Sequence, residues 1–177
     1  MGGVVRRMKL HIGGEEAKSG WKILNIVDES YVDYVGSCVD LSQFEDASVD
    51  EIYASHVFEH LSYQRELSTA ISECHRALRN RGHLYVSVPN LGVLCQMFVS
   101  DAITDKQRWK LMRIMFGGQL EEYDFHKVGL IEPFLRKYLT NAGFTSIERV
   151  EEFDLFDDTS KMRLGPHLIS LNIIATK

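Results

Sequence analysis

Between Val49 and Val88 the chain reads strand, helix, strand, and that order restricts the fold more than any other feature. The run VDEIYAS, Val49 to Ser55, is apolar and β-prone and follows the turn-like EDAS. From Gln64 to Asn80 the spacing predicts a helix. Leu67, Ala70, Ile71, Cys74 and Leu78 recur three and four residues apart, and Gly82 follows as a stop signal. His83 to Val88 is again strand-like and ends at Pro89-Asn90. Strands alternating with helices imply a mostly parallel α/β sheet.

The flanking segments extend this sheet. Met8 to Ile12 reads as a strand running into Gly13-Gly14, followed by apolar runs at Trp21 to Ile26 and Tyr34 to Gly36. Leu91 to Phe116 is helical with a break near Asp101 to Asp105, and Gly117-Gly118 closes it. The segment GQLEEYDFHKVG has no clear period and is expected to be a loop. Leu130 to Ala142 forms a second amphipathic helix, and Ser146 to Phe153 and Leu168 to Thr176 are late strands. Two successive strands at the end give the sheet an antiparallel edge. The links between the first four strands are too short for full crossover helices. One sheet face therefore needs cover, either from the Leu91 to Phe116 helices or from a second subunit, so a homodimer is expected.

Length and charge narrow the function. The 177 residues suit one domain spanning 1–177, and 45% hydrophobic with 25% charged residues is ordinary globular composition. A net charge of -5 supplies no basic footprint, so no nucleic-acid partner is expected. Cys38, Cys74 and Cys95 have neither pairing nor metal spacing, which suits a reducing cytoplasm and predicts no metal. The start MGGVVRRMKL lacks the apolar stretch of a secretory signal, and no run is long enough to span a membrane.

The string SVDEIYASHVFEHL, followed by a helix ending HRALRNRGHLYVSVPN, closely resembles methyltransferases of the "DEIYASHVLEH" type. These belong to the class I, Rossmann-like superfamily that uses S-adenosylmethionine. The resemblance runs from Lys9 to Asn90 and continues more loosely through FGGQ, YDFHKVG and NAGF. It implies a Rossmann-like, seven-stranded, mostly parallel sheet with reduced early crossover helices. It also implies methyl transfer to a small-molecule or glycan acceptor.

By the same resemblance the turn His11-Ile12-Gly13-Gly14 lies under the methionine part of the cofactor. An acid at the end of the second strand grips the ribose, and here the sequence reads Ile26-Val27-Asp28, with the acid either shifted by one residue or absent. The adenine-contacting Gly-Asp becomes Gly36-Ser37-Cys38, which leaves backbone groups at Cys38 and Val39 to bind the base. Ser55 and His56 face the cofactor's amino-acid end and the acceptor. The altered glycine turn, Val27 and Ser37 also fit a second reading, a degenerate, non-catalytic partner module.

His56, Glu59 and His60 match H-x-x-E-H, a zinc-peptidase pattern in which residues four apart on a helix share a face. The motif begins directly off a strand, which weakens that third reading, a zinc hydrolase. Glu59 and His60 are equally well placed to cap and orient the next helix. His126 in the YDFHKVG loop, or His56, is the candidate to accept the acceptor's proton, the alternative for His126 being to pin its loop. Trp21 and Trp109 are expected as packing anchors, Met97, Met112 and Met115 as packing, and Asp157 to Ser160 as a solvated turn.

Overall fold

A computed structural model describes residues 8–177; the Arg6-Arg7 start read for a secretory signal lies outside them. In chain order the first four strands are β1 (Lys9–Ile12), β2 (Trp21–Asn25), β3 (Tyr34–Val35) and β4 (Val49–Ser55). Helix α1 (Glu66–Ala77) leads into β5 (Leu78–Pro89), followed by α2 (Leu91–Phe98), α3 (Asp105–Phe116) and α4 (Glu132–Ala142). The chain ends with β6 (Ser146–Val150), a ribbon of β7 (Arg163–Leu164) and β8 (His167–Leu168), and β9 (Ser170–Thr176). Seven strands form one sheet in the order β3-β2-β1-β4-β5-β9-β6. The β1, β2, β3, β4 and β5 pairings are parallel, and β9 runs antiparallel to both β5 and β6. This is the mostly parallel sheet with an antiparallel edge that the sequence predicts, and no helix joins the first four strands.

Strand alternation sends side chains to two different covers. Leu10 and Ile12 of β1 and Ile52 and Ala54 of β4 enter the main core beneath α1 and α4. There Leu67, Ala70, Ile71 and Cys74 of α1 meet Leu135 and Leu139 of α4, all with no exposure. Each such fully buried leucine or isoleucine stabilises the fold by about 1.5–3 kcal/mol.

The opposite face carries His11, Trp21, Tyr53 and Tyr85, and the chain covers it with its own segment 151–162. Phe156 packs on the His11 ring at 4.2 Å and on Tyr53 at 4.6 Å, and Phe153 meets Tyr53 edge-on at 5.6 Å. Polar ties hold this cover down. The Tyr53 hydroxyl donates to Asp158 at 2.8 Å, and Asn172 Nδ2 donates to the carbonyls of Glu151 at 2.6 Å and Ser160 at 3.0 Å. The expectation of a solvated turn at Asp157 to Ser160 is thus corrected: Asp158 is half-buried and Ser160 fully so. The expected cover by the Leu91 to Phe116 helices is also corrected. Leu94 and Leu111 instead form a small separate cluster with Ile169.

Helix α1 stops three residues before the predicted Asn80. Leu78 is already extended, with ψ 137°, because it pairs with Val49 of β4. Gly82 serves close packing in β5, since a Cβ there would come within 2.9 Å of the Arg79 and Asp50 carbonyl oxygens.

Candidate active site

In this strand order the chain reverses direction across the sheet between β1 and β4. A crevice opens beyond their carboxyl ends, the position where open α/β sheets bind ligands. The cleft has a volume of about 430 Å³. Its floor is Ile12 and Gly13, one wall is the end of β2 with residues 36–39, and the other is the turn after β4.

Gly13 needs its missing side chain. Its φ is +71°, and a Cβ would meet Val57 Cγ2 at 2.6 Å. Gly14 does not line the cleft; a Cβ there would press on the His11 ring at 2.7 Å. His11 itself points away from the cleft, buried against Tyr53 and Phe156. Burial pushes its imidazole down to about 4, against a rise from Asp158.

The second strand ends at Asn25, so the side chain there is an amide. Its Nδ2 donates to the Gly14 carbonyl at 3.2 Å and its Oδ1 accepts from Val27 N–H at 3.1 Å. Asp28 is exposed and does not line the cleft, whereas Glu29 does. Ser37, Cys38 and Val39 line the next part, and the Val39 N–H reaches the Ser37 hydroxyl at 3.4 Å. Burial pushes the Cys38 thiol up to about 12, which leaves it a packing residue. The following segment is latched to α1. Leu41 N–H donates to Glu73 at 3.1 Å, and Arg76 donates to the Leu41 and Phe44 carbonyls.

After β4 the chain turns sharply. Ser55 lies on the Tyr53 side of the sheet, two residues along the same strand, and does not line the cleft. His56 takes φ 54°, an unusual conformation for a residue with a Cβ, and lines the cleft. Both its ring nitrogens face polar groups. Nε2 lies 3.0 Å from Ser170 Oγ, and Nδ1 lies 3.2 Å from a carboxylate oxygen of Glu59. Phe58 to His60 form one turn of 3₁₀ helix, so His56 and His60 do not share a helix face. The zinc-peptidase geometry is therefore absent, and neither Glu59 nor His60 caps α1, whose N-cap has no side-chain hydrogen bond.

The YDFHKVG segment is a loop, as expected, and it folds over the cleft. Glu122, Tyr123, Phe125 and Lys127 line its mouth, and Lys127 pairs with Glu66 at 3.5 Å. His126 packs edge-on against His60 with ring centres 4.7 Å apart. Burial lowers the His126 imidazole, Glu59 pulls it back up, and the neighbouring His60 and His56 lower it further. Sequence reading missed Asn25, Glu29, His60 and Tyr123 as lining residues. For Glu29 the signal was one place away, in the acid-containing turn after β2.

Residues 15–86 match the family model described as a methyltransferase domain. Among solved structures, an S-adenosylmethionine-dependent methyltransferase from Archaeoglobus fulgidus superimposes on 97% of this chain and 86% of its own, with TM-score 0.62 and 15% identity. The 1,6-didemethyltoxoflavin N1-methyltransferase of Burkholderia thailandensis, solved with that compound and S-adenosylhomocysteine, gives TM-score 0.60 and 16% identity. It covers 96% of this chain and 70% of its own. Human N-acetylserotonin methyltransferase gives 0.56 and 13%, over 98% of this chain and 48% of its own. No curated protein matches the sequence. At these identities structural likeness establishes the fold, and the family match covers less than half of the chain. The chain has the Rossmann-like fold of these S-adenosylmethionine-dependent methyltransferases, and residues 15–86 resemble a methyltransferase domain.

Proposed function

We propose that the protein binds S-adenosylmethionine in the cleft beyond β1 and β4 and transfers its methyl group to an oxygen or nitrogen of a small-molecule or glycan acceptor. The observation that carries this reading is the continuity of the cleft. A side-chain-free turn at Gly13, Glu29, the 37–39 segment, and His56, Val57 and His60 all border one space. Ile26, Val27, Tyr123 and Phe125 leave apolar surface exposed around it, the kind of surface a purine covers.

In this reading the Gly13 backbone receives the methionine part of the cofactor, Glu29 accepts from the ribose hydroxyls, and Ser37 to Val39 border the adenine. Bound there, the cofactor supplies a methyl group on a positively charged sulfur. The chain's own contribution is to orient the acceptor in line with that methyl and to handle its proton. His56 serves as a positioning residue, because its ring lies between Ser170 and Glu59. The acceptor atom sits at the His60 and His126 end, under the loop that excludes water.

Calorimetric titration with S-adenosylmethionine and S-adenosylhomocysteine tests the reading. Binding in the micromolar range supports it. No heat at millimolar ligand would favour the degenerate partner module, which Asn25 and Ser37 in place of acids already suggest.

A further inference from the structure

We infer that Glu59, His60 and His126 form a binding site for one divalent transition-metal ion at the acceptor end of the cleft. Among the described residues these are the three side chains that could hold a metal together: one ligand atom from each lies within 4.8 Å of the others. One carboxylate and two imidazoles are a donor set suited to zinc and to cobalt as its spectroscopic substitute.

The site also accounts for polar atoms that the protein leaves unmatched. Glu59 is 1% exposed, yet neither carboxylate oxygen accepts a hydrogen bond of proper geometry, Oε1 having only the His56 ring nitrogen at 3.2 Å, and His60 Nδ1 is likewise buried without a partner. Buried polar atoms normally find partners, and a cation between these groups would supply one. The surroundings fit as well. The His126 backbone N–H donates to the Phe116 carbonyl at 3.1 Å, and its ring packs edge-on against His60, which fixes its place beside Glu59. His56 Nδ1, 3.2 Å from Glu59 Oε1, stands where an outer partner would steer the carboxylate. The nearest loop cation, Lys127, is turned to Glu66 instead.

This is not the H-x-x-E-H arrangement. His56 is outside the ligand set, Glu59 is a ligand, and the third ligand comes from a distant loop. Three protein ligands leave a coordination position free, and His60 borders the cleft, so that position opens to it. If methyl transfer is the reaction, an acceptor hydroxyl would fill the position and lose its proton more readily on the metal. That last step rests on the proposed function, whereas ion binding does not.

The test uses the full-length chain, freed of metal by chelator and titrated with Co²⁺ alone, followed by visible absorption and calorimetry. One equivalent is expected to bind with ligand-field bands that Zn²⁺ abolishes. His60→Asn, His126→Asn and Glu59→Gln are each expected to weaken uptake by at least about 100-fold. His167→Asn, on the β7–β8 ribbon, is expected to bind as the parent does. Absence of Co²⁺ and Zn²⁺ uptake by the parent, or unchanged uptake by the folded histidine variants, would overturn the site. Titrating the metal-free protein with S-adenosylhomocysteine separates the two readings: ion binding without nucleoside binding would leave the metal site standing and sink the proposed function.

Discussion

The carbonyl oxygen of Glu59 accepts the backbone N–H groups of both Lys127, at 2.7 Å, and Val128, at 3.2 Å. Through this one atom the loop after α3 is fastened to the turn after β4, and His126 is delivered to His60. The loop's other end depends on Gly117. Its φ is +84°, and a Cβ there would overlap the Asp124 carbonyl oxygen.

Gly117→Ala is therefore expected to destabilise the protein by about 1–3 kcal/mol, the usual cost of forcing a side chain into such a conformation. It should also slow any turnover by displacing His126. Urea denaturation measures the first effect. A variant as stable as the parent would mean the loop repacks freely and does not fix His126.

Gly13→Ala tests the cleft floor. The substitution places a methyl group against Val57 with φ at +71°, where the β1 and β4 turns nearly touch. S-adenosylhomocysteine affinity should fall by about 10-fold or more, equivalent to roughly 1.4 kcal/mol. Equal affinity in calorimetry would place the nucleoside elsewhere.

Arg76 clips the segment beyond the 37–39 wall. It donates to the Leu41 and Phe44 carbonyls and to the carboxylates of Glu73 and Asp46, with N···O distances of 2.7–2.9 Å. Lysine cannot reproduce that planar fork. Arg76→Lys should cost about 1–2 kcal/mol in urea denaturation, the ion-pair part being reduced by solvent at this partly exposed site. A loss below about 0.3 kcal/mol would show that the latch adds nothing.

The sheet was legible because its pattern is local. Val49–Ser55, the α1 periodicity and His83 to Val88 each sit within a short window, and the antiparallel edge follows from two late strands in succession. The second face was not legible in this way. Its cover depends on Phe153 and Phe156 meeting Tyr53, a contact between residues far apart in sequence, and the run Asp157 to Ser160 looks solvated until Tyr53 is seen to bond Asp158. The site shows the same split. Gly13, Ser37 to Val39 and His56 stand at strand ends and line the cleft. His11 and Ser55 fall on the opposite side because strand residues alternate. The approach of His126 to Glu59 and His60 required the long loop to fold back.

His11 gives a pH prediction with a definite sign. Burial lowers its imidazole from 6.5 to about 4, opposed by Asp158 and assisted by Lys18, so the folded protein resists protonation that the unfolded chain accepts. The associated stability is fully present above about pH 6.5 and is lost as the pH falls from there to about 4, a change of about 3 kcal/mol. His75 and His126, also lowered by burial, act in the same direction, so the measurement is the difference between parent and variant. Asp158 acts lower. Burial raises its carboxyl, but hydrogen bonds from Ser160 and Tyr53 win and hold it below the usual carboxylate value. Its contribution is therefore lost only in stronger acid. In His11→Phe the ring still packs against Tyr53 and Phe156, and no group there must ionise. Urea midpoints between pH 7 and 4 should fall less for the variant than for the parent, and S-adenosylhomocysteine affinity at pH 7.5 should not change. Parallel midpoint curves would refute the burial argument, and a weakened affinity would return His11 to the cofactor site.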